Sequence, residues 1–395
     1  MSGDWIIWGS ELSPFTLKLI RLFRHARLPL RFLPAEGSFT ENWHYALRVD
    51  RLKRGMLPLT CPAMTEDDEF PLVPFVFGPE GENLYDSSAI ARWLDARLEP
   101  ALRVIPGAEA ASFVARLIDD YADEWGLYLV HHNRWKVSAL DNDAGTRVAR
   151  EFRFTSLGLL QFAGARWFAA RQTRRLAYLF SVAPEGFHIN GLPASRQPPS
   201  RAGFPPTHEL LEHAHLRLLD ILETLLANRP YLLGGMFTLA DAAIYGQLGM
   251  NLSDPSADRL MRERAPHVHA WLTALHGADP SPIPGAAENI QLDAGLKPLL
   301  AEICRTHVAL MRQNAEAVAR LHVQGQRRFN ERAFNRGEAL YDGVIDGFPF
   351  RHVAKTFQAR VWRDCLTHRS RLSSAARAQV DALLPANHGI DGVAA

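Results

Sequence analysis

Leu72-Val73-Pro74-Phe75-Val76-Phe77, a turn from Gly78 to Asn83, and then Tyr85-Asp86-Ser87-Ser88-Ala89-Ile90-Ala91-Arg92-Trp93-Leu94 decide how this chain is read. They spell a strand entered through an X-Pro bond, a hairpin, and a helix that opens on an acid and two hydroxyls. Pro74 has no N–H to give a sheet ladder, so it belongs at a strand's first position or at an edge, where backbone groups stay open to a ligand. Asp86 and Ser87 stand where a helix begins, so free backbone N–H groups and the positive end of the helix dipole favour a bound carboxylate there. The acidic side chain of Asp86 can pair with an ammonium. Together these features would hold a zwitterionic amino-acid head group, with a peptide backbone lying against Val73 and Pro74.

Working outward, Trp5-Ile6-Ile7-Trp8-Gly9-Ser10 predicts a first strand, Leu17 to Ala26 a first helix, and Arg31-Phe32-Leu33 a second strand. Val73 to Phe77 and Asn83 to Tyr85 form the hairpin, and Ser87 to Leu98 the following helix. In this order the chain resembles the glutathione S-transferase superfamily, whose thioredoxin-like domain carries a Val-Pro strand start and an Asp/Glu-Ser helix start. Ser13-Pro14-Phe15-Thr16-Leu17 is similar to that family's activating loop and first helix, and Phe237-Thr238-Leu239-Ala240-Asp241 to the box that opens its central helix. Thr238 and Asp241 there can satisfy each other's orphan donors.

The resemblance implies a fold of two parts: an N-terminal thioredoxin-like βαβαββα domain over 1–98, a linker over 99–107, and an enlarged all-helical domain over 108–280. It also implies glutathione as cosubstrate, a small electrophile as partner, and a homodimer. The superfamily's chemistry needs the glutathione sulfur as a thiolate, which a nearby donor stabilises by hydrogen bonding to the anion. By the loop match Ser13 is the catalytic residue, with Ser10 as the alternative, while Val73, Pro74, Asp86 and Ser87 bind glutathione. Ser13 also reads as the N-cap of the first helix with Pro14 in its first turn, and Asp86 and Ser87 as ordinary caps. The outcome would be conjugation, thioether or ether cleavage, or isomerisation. The competing reading is a binding or adaptor protein that has kept the fold without turnover.

On the expected helix Glu109 to Ser138, Asp120, Glu124, Tyr128, His131 and Trp135 recur at spacings of four, four, three and four and share one face. In the family that helix borders the electrophile, which makes Trp125, Tyr128, His131 and Trp135 the expected pocket. Pairing of Asp120 or Asp123 with Arg116 or Arg134 at a domain interface is the plainer reading. One helix supplies too few ligands for a metal, and none is expected.

Further helices are expected over 146–177, 207–227, 239–250 and 265–276. Ala183 to Pro206, rich in proline and glycine, reads as a long loop, either a lid over the interdomain cleft or a surface insertion. Beyond 281 the chain leaves the family pattern: Leu296 to Leu321, Phe357 to His368 and Ser374 to Leu384 read as helices, with an aromatic, Gly-rich stretch from Phe329 to Phe350 between them, and this 281–395 extension is too apolar to be disordered. Composition fits a soluble enzyme, since 395 residues that are 47% hydrophobic and 22% charged can bury a sizeable core. A formal net charge of +1 argues against a role on nucleic acid or at a membrane surface driven by overall charge. No apolar run reaches the length of a membrane span and the opening residues lack a signal-peptide pattern, so a cytoplasmic location is expected. Cys61, Cys304 and Cys365 lie far apart and point to neither a disulfide framework nor a metal knuckle.

Overall fold

Alternating side chains of the first strand face opposite sides of one small sheet, and that alternation builds the N-terminal domain. In the computed structural model, which describes residues 3–62, 73–155, 161–281, 283 and 289–390, β1 (Trp5–Trp8) pairs in parallel with β2 (Leu30–Leu33) and antiparallel with β3 (Phe75–Phe77), and β3 pairs antiparallel with β4 (Asn83–Tyr85). Strand order is β2-β1-β3-β4. Trp5 and Ile7, with Val76 and Leu84, pack under α1 (Pro14–His25) and α3 (Ser87–Asp95), whereas Ile6, Trp8, Phe75 and Phe77 pack on the other face with Val49 and Leu52 of α2 (Phe39–Lys53). Ser38 and Glu41 close a capping box at the start of α2. This is the βαβαββα order expected from the sequence. The Val73–Pro74 bond is cis and leads straight into β3, while Leu72 lies outside the described residues.

The long helix expected from Glu109 runs as α4 (Glu109–Tyr121), a π-turn (Ala122–Gly126), α5 (Leu127–His132) and a second π-turn (Asn133–Val137). Each π-turn carries i→i+5 bonds and inserts a residue into the helical register. The stretch expected as one helix over 146–177 is instead α6 (Ala144–Glu151) and α7 (Gln161–Arg174), with 156–160 outside the described residues. Then follow α8 (His208–Leu226), α9 (Leu239–Met250), α10 (Pro255–Arg264) and α11 (Pro266–His276). The capping box at Thr238 and Asp241 forms, and the buried Asp241 carboxylate also accepts the Leu232 N–H at 2.8 Å. Every residue of α9 is buried, so it is the axis of the helical domain. Gly246 lets α1 lie against it, since a Cβ there would meet the Pro14 carbonyl at 2.6 Å and Lys18 Cβ at 2.8 Å.

The extension is folded and joined to the same core. It runs as α12 (Lys297–Ile303), a third π-turn (Cys304–Val308), α13 (Ala309–Val323), α14 (Glu331–Arg336), a hairpin of β5 (Leu340–Ile345) and β6 (Phe348–Val353), α15 (Thr356–Ser370) and α16 (Ser374–Asp381). The hairpin stands where the sequence reads only as an aromatic, Gly-rich stretch; its turn uses Asp346 and Gly347 at positive φ, the conformation such a tight connection requires. Both α15 and α16 pack on α4. Residues 183–206 are irregular apart from one 3-10 turn (Ala194–Arg196). Arg196 donates to the Ala139 carbonyl at 2.6 Å and Arg201 to the Phe334 carbonyl at 2.6 Å, so the segment straps the helical domain to the extension. Among the described residues no helix is long and apolar enough to cross a membrane.

Candidate functional site

A cavity of about 590 Å³ opens where the three parts of the chain meet. Its first wall is the N-terminal domain: Val73 and Pro74 at the entry to β3, then Asp86, Ser87 and Ser88 at the start of α3, with Phe15 from the first turn of α1. Its second wall is one face of α4, the π-turn after it and the start of α5: Arg116, Asp120, Asp123, Glu124, Leu127 and Tyr128. The extension supplies the third, from Arg327 to Asn330 and along the start of α15.

The α3 end of the cavity is built tightly. Asp86 sits at the N-cap with φ +65°, a left-handed conformation that costs a non-glycine residue on the order of 1–3 kcal/mol and is sustained only by its surroundings. Its Oδ1 accepts the Ala89 N–H at 2.8 Å, and the carbonyl accepts the Ile90 N–H at 2.8 Å. The N–H groups of the next residues in the first turn face the end of the helix, where the dipole favours an anion.

Behind them lies a buried charge cluster that fastens this turn to the helical domain. Lys18 Nζ lies 2.5 Å from Asp119 Oδ1, 2.6 Å from Asp123 Oδ2 and 2.9 Å from Ser88 Oγ. Ser88 Oγ lies 2.7 Å from Asp119 Oδ2, and Ser87 Oγ donates to Asp123 Oδ2 at 3.3 Å. Burial alone would lower the Lys18 pKa, but the two carboxylates outweigh it and hold the ammonium above its ordinary range. Burial pushes Asp123 up to about 6 against the pull of Lys18. On the same wall burial pushes Asp120 up to about 7, even with Arg116 3.6 Å away.

Farther along, Glu124 and Tyr128 meet the extension. The Tyr128 hydroxyl accepts from Lys355 Nζ at 2.8 Å and from Gln358 Nε2 at 2.9 Å, and its ring stacks on Phe180 at 5.3 Å. Lys355 Nζ also stands 4.9 Å from the Tyr128 ring centroid and 4.7 Å from that of Tyr178. Burial pushes the Glu124 carboxyl up to about 8, against a hydrogen bond from Gln358 and the Lys355 charge.

Residues 216–274, spanning α8 to α11, match the family model for the glutathione S-transferase C-terminal domain, and they stand behind a βαβαββα domain of that superfamily's order. The helical part thus carries a match to a glutathione S-transferase C-terminal domain. Among solved structures this chain is similar to a glutathione S-transferase from Methylobacillus flagellatus KT with GSH bound, at 16% identity over 71% of this chain and 99% of that one, with a TM-score of 0.37. It is similar to the beta-etherase LigF from Sphingobium sp. strain SYK-6 at 14% identity, covering 70% of this chain and 98% of that one, with a TM-score of 0.42. A glutathione S-transferase from Rhodospirillum rubrum F11 is 15% identical over 73% of this chain and 95% of its own, with a TM-score of 0.35. No curated protein matches the chain.

The residues expected from the sequence separate into two groups. Val73, Pro74, Asp86, Ser87 and Tyr128 line one cavity. Trp125, His131 and Trp135 are not among its described lining residues. Trp125 is fully buried against Tyr128 and Phe180, so it is core rather than pocket. Trp135 lies within the second π-turn, where the i→i+5 bonding departs from the helical register, and its ring packs with Leu12, Phe168 and Leu176 in a separate cluster. His131 is held neutral, its pKa pushed down to about 3 by burial and by the nearby Arg134 and Arg175, which removes it as an acid or base near neutrality.

Ser10 donates to the Glu151 carboxylate of α6 and accepts the Leu12 N–H, so its hydroxyl is committed to the domain junction. Ser13 stands at the N-cap of α1 without a side-chain capping bond, is half-buried, and is not itself among the lining residues, although Phe15 two positions on is. Arg134, one of the expected partners of Asp120 or Asp123, is instead buried against Asp254 at 2.9 Å and donates to the Leu12 and Met250 carbonyls at 2.7 Å each. Among the described residues no cluster of His, Cys, Asp and Glu is arranged to hold a metal. Sequence reasoning missed Ser88, Lys18 and the whole third wall. Glu124 was on the marked face; Arg327, Arg328, Lys355 and Gln358 carried no motif.

Proposed function

We propose that this chain is a glutathione-dependent enzyme that presents the glutathione thiolate to a small electrophile, with conjugation, thioether or ether cleavage, or isomerisation as the outcome. The observation that carries the reading is the meeting of Val73, Pro74, Asp86 and Ser87 on one wall of a cavity whose other walls are helical and aromatic. The peptide would lie against Val73 and Pro74, and the γ-glutamyl carboxylate would take the free N–H groups at the start of α3, with Asp86 beside its ammonium. We assign the thiolate to Ser13, at the positive end of α1 and two residues from Phe15. The family resemblance supports a cytoplasmic homodimer, which light scattering of the purified protein tests.

Calorimetric titration with glutathione tests the binding step. The native chain binds, and an Asp86→Ala, Ser87→Ala double variant loses the heat of binding; a native chain that gives no binding isotherm refutes the reading. Ser13→Ala tests the chemistry with 1-chloro-2,4-dinitrobenzene: turnover falls at least tenfold while glutathione affinity stays within twofold. One observation favours the competing reading of a fold kept for binding: the Ser10 hydroxyl is taken up by Glu151 and Ser13 does not itself line the cavity. On that reading glutathione binds, no conjugate forms, and Ser13→Ala changes nothing.

A further inference from the structure

Helix α2 turns a row of large apolar side chains to the outside. Phe39, Trp43 and Leu47 follow one another at spacings of four, so they stand one above the next along a single face. They are 59%, 45% and 51% exposed, while the residues that α2 buries are Asn42, Val49 and Leu52. A helix that served only to cover the sheet would show polar groups on its outer side, so successive turns of exposed apolar side chain have the pattern of a contact surface. The Phe39 and Trp43 rings already lie 6.2 Å apart. At the same spacing the row runs on into Arg51, which is exposed and forms no ion pair among the described residues. At the other end Glu36 stands exposed just ahead of the Ser38 cap, where one of its carboxylate oxygens accepts the Phe32 N–H at 2.9 Å and keeps the charge at that end of the helix. From end to end the face reads acid, three apolar residues, base, and such a line complements its own reverse.

We propose that this face is where two copies of the chain meet, their α2 helices antiparallel about a twofold axis at Trp43. A twofold contact uses the same patch on both copies, so each residue four beyond Trp43 meets one four before it. Leu47 of each copy then faces Phe39 of the other, the two Trp43 rings meet on the axis, and Arg51 of each lies toward Glu36 of the other. Tryptophan at the centre and charges at the rim is the distribution that makes a contact both tight and specific, and antiparallel helices set their dipoles head to tail. No described residue of α2 lines the cavity, so two chains joined here keep both cavities open. The inference rests on the homodimer of the reading above and adds the face through which it forms; it is independent of glutathione.

Sedimentation velocity of the full chain over a range of concentrations measures the association, with near-ultraviolet circular dichroism to establish that each variant is folded. Trp43→Glu weakens the dimer by about tenfold or more, because it buries a charge on the axis twice over. Arg51→Glu and Glu36→Arg each weaken it by about threefold, since each sets like charges against one another at both ends of the contact. The Glu36→Arg, Arg51→Glu double variant restores the native association, which a face that is merely sticky would not do. A native chain that stays monomeric removes both the homodimer and this face. A dimer that survives Trp43→Glu, or single charge reversals that the double variant does not rescue, removes this face and leaves the homodimer standing. A monomer that floats with phosphatidylserine-containing vesicles, and loses that flotation in Trp43→Glu, gives the face to a membrane and overturns the proposal.

Discussion

Replacing Lys18 by methionine removes the single cation of a buried cluster and keeps nearly all of its volume. The ammonium lies 2.5 Å from Asp119 and 2.6 Å from Asp123, and Lys18 and Asp119 are fully enclosed. Breaking a buried pair by deleting one partner leaves an uncompensated charge and costs about 3–5 kcal/mol. Here two carboxylates are stranded side by side, so the upper part of that range is expected, a large share of the roughly 5–15 kcal/mol that holds a folded chain together. The stranded groups regain part of the loss by taking up protons, so the deficit shrinks as pH falls. Urea denaturation at pH 8 and pH 5 measures both effects. A Lys18→Met, Asp119→Asn, Asp123→Asn triple variant recovers most of the stability, because the polar groups then need no counter-charge. The variant also loosens the α3 turn, since Ser87 and Ser88 lean on the same carboxylates, and glutathione affinity drops with stability. A Lys18→Met chain that loses less than about 1 kcal/mol, or loses equally at both pH values, refutes the reasoning.

Glu124→Gln separates burial from charge. With its folded pKa raised above the ordinary glutamate range to about 8, Glu124 favours the folded state most at low pH, and that contribution is lost as pH rises toward 8. Its neighbours Asp120 and Asp123 add to the loss, while Lys355 and Gln358 resist it. The glutamine variant should therefore gain stability relative to the native chain between pH 5 and pH 9 in paired denaturation curves; parallel curves count against it. Trp125→Ala should cost about 3–5 kcal/mol by cavity formation and leave glutathione affinity unchanged at a temperature where the variant is folded, whereas a pocket tryptophan would show the reverse.

What the sequence disclosed and what it hid have different physical origins. The sheet, its flanking helices and the α9 box were legible because each is written in local pattern: alternation in Trp5–Trp8, a prolyl strand entry, hydroxyls and acids at helix starts. The same local logic picked out Asp120, Glu124 and Tyr128 as one face, and they do line one cavity. It failed for Trp135 because ideal helical periodicity contains no inserted residue, and the π-turn at Asn133–Val137 is set by packing rather than by any residue type. It failed for Ser10 because its partner, Glu151, is 141 positions away. The third wall was hidden for the same reason: Lys355 and Gln358 gain meaning only when folding brings them to Tyr128, more than two hundred residues earlier. A chain that closes its cavity with its own extension thus writes the proposed glutathione face in local motifs and the facing wall in long-range contacts. Substitutions in the extension should change which ligand is accepted more than whether glutathione binds.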